Sequence, residues 1–193
     1  MLFIHNYTYQ QFTRMKVKTI IGICGSIRQR SSSHVILEEI RRLLPAEIIF
    51  ETYDNLASMP AFDGREEDPE PVKEFKAILK KADGIFISSP EYAFGVPGAL
   101  KNALDWTVGT ADFFHKPVAL VTASSQGMRA HESMQYILAA LAAELHPNTT
   151  LLISSIRSKV KDGRVVDGET QQALQAMVAS FVTSLKTKSV NAF

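Results

Sequence analysis

The sequence predicts an α/β protein with a doubly wound parallel sheet in three αβα layers. Two observations predict this class: five short apolar runs rich in Ile, Val, Leu and Thr, and a segment of helical period after each of them. Several of the runs are apolar without alternation, which is typical of parallel strands that are covered on both faces. The regular succession of strand and helix then predicts helices on both faces of one sheet.

Each predicted element rests on its own pattern. The strands are the apolar runs at 17–24, 47–53, 84–89, 117–123 and 149–155. The helices are the segments whose apolar residues recur at spacings of three and four, at 34–44, 71–82, 97–107, 131–145 and 169–186. In the third helix the stripe places Leu100, Leu104 and Trp106 in the core. The turn residues Asp162 and Gly163 predict a small hairpin over 156–166.

The predicted order of the five strands is 2-1-3-4-5, the flavodoxin-like order. Parallel neighbours require right-handed crossovers, so few topologies remain for five such units. In this order a ligand crevice lies at the carboxyl ends of the strands, where the winding reverses between strands 1 and 3. We therefore expect unusual chemistry in the loops after strands 1, 3 and 4, and not in the other loops.

Length, charge and composition restrict the class of protein. We expect residues 15–193 to form a single domain, with residues 1–14 as a disordered extension because they show little periodic pattern. A net charge of +1 without a basic stripe argues against nucleic-acid binding. No apolar run approaches the roughly 20 residues of a membrane span. The single cysteine, Cys24, is expected in the core and fits a reducing, cytoplasmic compartment.

The loop after the first strand has the composition of a phosphate site. Gly25 allows close approach of the backbone, and the helix that follows supplies free N–H groups. The loop lacks both GxxxxGK[ST] and a complete GxGxxG, which favours a mononucleotide phosphate over a pyrophosphate. The alternative is that the serines only cap the helix and the arginines are solvated. The candidate phosphate ligands are Ser26, Arg28, Ser31 and Ser33.

The loops after the third and fourth strands could hold a flat ring. Prolines and glycines make the first of them a rigid turn that can aim backbone groups at the edge of a heterocycle, and its aromatic side chains can flank a ring. The second is small and polar and exposes its backbone. For both loops the alternative is an ordinary strand-to-helix connection. The candidate ring contacts are Pro90, Glu91, Tyr92, Phe94 and Gly95, together with Ser124 and Gly127.

These three motifs resemble those of the NADPH-dependent FMN reductase family. The similarity is carried by GSIRxxSSS after the first strand, PEYAFGVPGALKNALDW after the third, and SSQGMRAHES after the fourth. It runs from about residue 17 to about residue 185. The family includes flavin, quinone, azo-dye and chromate reductases. The second motif is highly specific, and the first is moderately so.

The resemblance implies a cofactor, a reaction and a set of site residues. FMN would receive a hydride from NADPH or NADH and pass electrons to free flavin, a quinone, an azo dye or chromate. Ser26, Arg28, Ser31 and Ser33 would hold the phosphate, and the seven candidates of the other two loops would line the ring. The resemblance also implies a homodimer or tetramer, for which 97–107 and 58–70 are the expected contact surfaces.

No catalytic side chain is assigned, because hydride transfer needs no general base. Glu91 is the nearest candidate by position, but a structural or helix-start role is expected for it. The five histidines show no metal-ligand spacing, and His131 and Glu132 are expected on an exposed helix surface. Two other classes of function stay open: a non-enzymatic FMN electron carrier, and a regulatory module that binds a nucleotide-like ligand without redox turnover.

Two positions depart from the family motif. Ser33 stands where many relatives have Asn, and Ala93-Phe94-Gly95 stands where many have Asn-x-Ser. The first change gives a shorter side chain with fewer donors, and the second would lose any ring contact that the replaced side chains make. The sequence therefore leaves open whether the flavin is a fixed prosthetic group or a dissociable substrate.

Overall fold

The sheet has the predicted topology. The computed structural model describes residues 17–190, which contain a five-stranded sheet in the order β2-β1-β3-β4-β5. All neighbouring strands in it are parallel. The strands are β1 (Lys18–Cys24), β2 (Ile48–Tyr53), β3 (Gly84–Ser89), β4 (Pro117–Ala123) and β5 (Glu144–Ile153). The flavodoxin-like order predicted from the sequence is thus confirmed.

Helices cover both faces of the sheet, as predicted. They are α1 (Ser32–Leu43), α2 (Glu70–Lys81), α3 (Gly98–Asp105), α4 (Met128–Ala140), the short α5 (Ile156–Lys159) and α6 (Gly168–Val190). Helices α1 and α6 pack on one face, against Ile20, Phe86 and Val121. Helices α2, α3 and α4 pack on the other face, where Leu100, Leu104 and Trp106 lie buried as expected.

The end of α4 and the start of β5 differ from the prediction. The apolar stripe predicted a helix to residue 145, but α4 ends at Ala140 and β5 already begins at Glu144. Ala142 has a left-handed backbone, with φ of 54°, and its carbonyl accepts a hydrogen bond from the N–H of His115. Leu145 pairs with Val118 of β4 instead of extending the helix. Pairing with a neighbouring strand therefore overrides the helix propensity of this alanine-rich segment.

The hairpin predicted over 156–166 is present but shorter. Strands β6 (Val160–Lys161) and β7 (Arg164–Val165) form it, with Asp162 and Gly163 at its turn. Its predicted first part, residues 156–159, is instead the short helix α5. None of the helices in the described part of the chain is long and apolar enough to cross a membrane. The predicted extension at residues 1–14 lies outside the described residues.

The long loop before α2 is fixed to α3. The carbonyl of Pro60 accepts hydrogen bonds from Asn102 Nδ2 at 2.8 Å and from Trp106 Nε1 at 2.9 Å. The Phe62 ring meets Trp106 edge to face, with 5.1 Å between the ring centroids. The two segments predicted as contact surfaces of an oligomer are therefore parts of one ordered surface, on which Phe62 is half exposed.

Candidate functional site

An open cleft lies at the carboxyl ends of the strands. Its volume is about 320 Å³. Loops from four strands line it, with residues Arg28, Arg30, Ser31, Ser32, Ser33, Pro90, Glu91, Tyr92, Ala123, Ser124, Ser125, Ile156 and Arg157. The cleft is therefore at the edge where the predicted topology places a ligand.

The first loop brings an unsatisfied hydroxyl and a helix N-terminus to the cleft. Ser33 lies in the first turn of α1, is only 1% exposed, and its Oγ has no hydrogen-bond partner among the described residues. Ser31 precedes the helix but makes no capping hydrogen bond with its side chain. Buried polar atoms are nearly always paired, so an orphaned hydroxyl in a cleft wall indicates a missing polar partner.

Ser26 connects the first loop to the third strand. Its side chain is buried, and its Oγ lies 3.1 Å from the Tyr92 hydroxyl and accepts a hydrogen bond from the Arg28 N–H at 3.2 Å. Ser26 is not among the residues that line the cleft. In this structure it orders two loops, and its predicted contact with phosphate stays a prediction.

Gly25 is required by a close approach. A Cβ atom at this position would lie 2.9 Å from Leu100 Cδ2 and 3.0 Å from Ser89 Cβ. The Gly25 N–H donates to the carbonyl of Ser88 at 2.8 Å. The first loop is thus held directly against the third strand, which brings the two sides of the cleft together.

The loop after β3 is a tight turn with an exposed aromatic tip. Tyr92 and Gly95 exchange two backbone hydrogen bonds, at 3.0 and 2.9 Å. Ala93 and Phe94 between them both have positive φ, at 47° and 59°, which residues other than glycine seldom adopt. The Phe94 side chain is 72% exposed. Neither Phe94 nor Gly95 lines the cleft, whereas Pro90, Glu91 and Tyr92 do.

Glu91 holds the start of α4. Its Oε1 accepts a hydrogen bond from the Gly127 N–H at 3.2 Å, and its Oε2 accepts one from the Ala130 N–H at 3.0 Å. Both carboxylate oxygens thus satisfy N–H groups that a helix terminus leaves unpaired. Glu91 therefore has the structural role expected for it, and the helix whose start it holds is α4.

The loop after β4 depends on a second glycine. Gly127 has a left-handed backbone, with φ of 91°, and a Cβ atom there would lie 2.8 Å from Leu152 Cδ1. It is buried beneath the loop and does not line the cleft. Ser124 does line the cleft, and its Oγ lies 3.5 Å from the Glu91 carbonyl.

The expectation of an exposed His131 is wrong. The ring is half-buried against β4, and its Nδ1 lies 2.9 Å from Thr122 Oγ1. Burial lowers the pKa of His131 below its ordinary value of 6.5. Glu132, the next residue, is exposed as expected. His131 precedes the buried Met134 by three residues and the buried Leu138 by seven, so it lies on the face of α4 that packs against the sheet.

Arg157 was missed by the sequence analysis. It follows β5, a strand whose loop was expected to carry no unusual chemistry, and it lines the cleft. The N–H groups of Ser155 and Ile156 donate to the carbonyls of Ser125 and Ser124, at 3.0 and 3.1 Å. These bonds attach the loop after β5 to the loop after β4. An arginine two residues after a predicted strand was the available signal, since all carboxyl ends of parallel strands share one edge.

The cleft wall carries an excess of positive charge. Its lining contains three arginines, Arg28, Arg30 and Arg157, and one carboxylate, that of Glu91. None of the three arginines forms an ion pair within residues 17–190. Because both oxygens of Glu91 are engaged by α4, the arginines are available to an anion. A phosphate monoester has the charge and the acceptors that this wall requires.

The chain matches a known protein family over most of its length. The sequence model of the NADPH-dependent FMN reductase family matches residues 18–157, more than half of the 193 residues. The chain belongs to this family. It is an oxidoreductase of the NAD(P)H-dependent flavin, quinone and azo reductase group, as the motifs predicted. Membership in a family of reductases argues against the two non-enzymatic alternatives.

Two curated relatives resemble the chain over nearly their whole length. A quinone reductase of Escherichia coli K12 is 28% identical over 173 residues, which are 84% of this chain and 92% of the relative. An NADPH azoreductase of Bacillus sp. OY1-2 is 32% identical over 174 residues, 86% of this chain and 90% of the relative.

A solved structure has the same fold. The flavoenzyme NAD(P)H:(acceptor) oxidoreductase FerB of Paracoccus denitrificans superposes with a TM-score of 0.72 at 24% identity. The match covers 89% of this chain and 98% of FerB.

Proposed function

We propose that the cleft binds FMN through its phosphate at the N-terminus of α1. The observation that carries this proposal is the buried, unpaired hydroxyl of Ser33 in a wall that also contains three arginines. A phosphate supplies the acceptors that Ser33 and the free N–H groups of the helix lack, and its charge complements the guanidinium groups. Arg28, Ser31 and Ser33 would make the side-chain contacts from the first loop.

The remaining wall of the cleft suits a flat heterocycle. Pro90 and Tyr92 line it from the loop after β3, and Ser124 and Ser125 line it from the loop after β4. Tyr92 is held by its contact with Ser26, and the turn behind it is closed by two backbone hydrogen bonds. A rigid wall of this kind reduces the entropy that must be lost when a ring is bound. We expect the isoalloxazine to lie here, near the predicted contacts Phe94, Gly95 and Gly127.

Bound FMN would supply the redox chemistry, taking a hydride from NADPH or NADH and passing electrons to a small acceptor. Quinones and azo dyes are the acceptor classes favoured by the names of the two relatives. The assignment implies a cytoplasmic enzyme, where reduced nicotinamide is available.

The protein itself would bind and orient the flavin and leave one side of its ring open to solvent. The cleft is open to solvent, so a second planar molecule can reach a bound ring. Among residues 17–190, Glu91 is the one carboxylate that lines the cleft, and it accepts two backbone hydrogen bonds that hold α4. We accordingly assign no general base, and protons can be exchanged with water at the open side.

We also propose that the enzyme works as a homodimer or tetramer. The surface formed by α3 and the loop 58–70 is ordered and carries the half-exposed Phe62 ring, which suits a contact between subunits. Size-exclusion chromatography with light scattering is expected to give a multiple of 21.4 kDa. A single species of monomer mass would contradict this assignment.

The function is tested by following NADPH and NADH oxidation with and without added FMN, in the presence of a quinone or an azo dye. We expect turnover that requires both the flavin and a reduced nicotinamide. Tight binding of FMN without turnover would favour an electron carrier. Absence of FMN binding would contradict the proposed use of the cleft.

A further inference from the structure

Three side chains meet behind the first loop of the cleft. The Sγ of Cys24, at the end of β1, lies 3.3 Å from His34 Nδ1. The same nitrogen lies 2.9 Å from Ser31 Oγ. Cys24 is buried and His34 is half-buried, whereas Ser31 lines the cleft. A chain of hydrogen bonds thus leads from the interior of the protein to the cleft wall.

The inventory of donors fixes the direction of this chain. A thiol has one hydrogen, and the Cys24 Sγ donates it to the carbonyl of Ser26, 3.4 Å away. Toward His34 the sulfur can then only accept. His34 Nδ1 must therefore carry a hydrogen, which it shares between Cys24 and Ser31. Burial raises the pKa of Cys24, which agrees with a neutral thiol that donates to Ser26.

The direction of the chain determines what Ser31 can do. Because His34 Nδ1 donates to it, the Ser31 oxygen is an acceptor in this contact. The hydrogen of Ser31 can turn to the Cys24 Sγ, 3.9 Å away, or to the cleft, and a thiol sulfur is a weak acceptor that an anionic oxygen would displace. Ser31 does not use that hydroxyl to cap α1, although it stands at the position where serine usually does so. With the opposite tautomer of His34, the hydrogen of Ser31 would be consumed by Nδ1.

We propose that Cys24 and His34 are positioning residues that direct the hydroxyl hydrogen of Ser31 toward a phosphate monoester in the cleft. The inference rests on the proposed binding of FMN and adds two residues, Cys24 and His34, that do not line the cleft. If the proposal is correct, replacing Cys24 or His34 weakens the binding of ligands that carry a phosphate and leaves the binding of ligands without one unchanged. A general loss of stability would weaken both.

Binding of FMN and of riboflavin to the apoprotein tests the proposal, because riboflavin has the same ring but no phosphate. In His34→Leu we expect the Kd for FMN to rise about tenfold, and the Kd for riboflavin to stay unchanged. His34→Asn and Cys24→Ser both keep a donor and an acceptor, so they should remain within about threefold of the wild type. His146→Asn is the matched control, since His146 is exposed at the start of β5, at the opposite edge of the sheet.

The tautomer gives a second readout that is independent of ligand. Nitrogen-15 NMR of the apoprotein, with His34 assigned by comparison with His34→Asn, should show the hydrogen on Nδ1. A hydrogen on Nε2 alone would overturn the inference, and so would an equal loss of FMN and riboflavin binding in His34→Leu.

The wild type separates this inference from the proposed function. If the wild type binds FMN and His34→Leu binds it equally well, only the inference fails. If the wild type binds no FMN, the proposed function fails, and the inference fails with it.

Discussion

Ser33 combines two properties that a side chain in a folded interior rarely has together. It is buried, and its hydroxyl has no hydrogen-bond partner in the part of the chain that the structure describes. Leaving such a group without a partner costs about 1–3 kcal/mol, unless a ligand provides one. Serine at position 33, where many relatives have asparagine, is shorter but still offers a hydrogen-bond donor to the cleft.

Ser33→Ala should therefore separate stability from binding. We expect the free energy of unfolding of the apoprotein to rise by about 1 kcal/mol, because an unsatisfied hydroxyl is removed from a helix. The Kd for FMN should rise about tenfold through loss of a contact with phosphate. Urea unfolding and fluorescence titration measure the two effects. An apoprotein that is destabilised, with unchanged FMN affinity, would show that Ser33 has a purely structural role.

Arg157 tests the charge of the cleft. Replacing it with glutamine should raise the Kd for FMN about tenfold and leave that for riboflavin unchanged, because the lost partner is the phosphate. Arg164→Gln is the matched control, since Arg164 is an exposed arginine outside the cleft lining. If instead only the preference for NADPH over NADH changes, Arg157 contacts the nicotinamide substrate and not the flavin.

At the scale of elements, α4 and the loop after β3 depend on one carboxylate. Glu91→Gln removes the negative charge and one of two acceptors from the start of α4. We therefore expect the free energy of unfolding to fall by about 1 kcal/mol. For a chain of this size that lowers Tm by roughly 2–4 °C. Glu132→Gln, at an exposed site on the same helix, should change Tm by less. Equal Tm values for Glu91→Gln and the wild type would contradict the capping role.

The packing of α4 on β4 also predicts a dependence of stability on pH. Burial lowers the pKa of His131 in the folded state, so the unfolded state binds more protons once the pH falls below the ordinary value of 6.5. The free energy of unfolding should therefore fall as the pH is lowered from about 8 to about 5. Urea unfolding of His131→Asn should show a smaller fall. The same pH profile for both proteins would contradict the role of His131.

Sequence patterns predicted elements well where local and tertiary preferences agree. The buried strands β1, β3 and β4 and the turn of the hairpin follow from apolar runs and turn residues. The junction of α4 and β5 did not follow, because Ala142 adopts a left-handed backbone that alanine itself does not favour. His131 was misplaced for another reason: its spacing from Met134 and Leu138 puts it on the buried face of the helix, and only its polar side chain suggested exposure.

At the scale of the whole molecule, the predicted strand order gave the correct position of the cleft, but it did not predict all of the loops that line it. Seven of the eleven predicted contacts line it, namely Arg28, Ser31, Ser33, Pro90, Glu91, Tyr92 and Ser124. The others, Ser26, Phe94, Gly95 and Gly127, lie in the same loops. The wall after β5 was not foreseen, because backbone hydrogen bonds between Ser125 and Ser155 bring Arg157 to the cleft. The position of Arg157 shortly after a predicted strand indicated which edge of the sheet it occupies, but which loops contact one another cannot be read from the sequence.

A crystal structure of the protein with FMN tests the central claim most directly. The account predicts the phosphate at the N-terminus of α1, within hydrogen-bond distance of Ser33 Oγ and beside at least one of the three arginines. It also predicts the ring between Pro90–Tyr92 and Ser124. A flavin bound at another surface, or with its phosphate directed away from α1, would contradict the account.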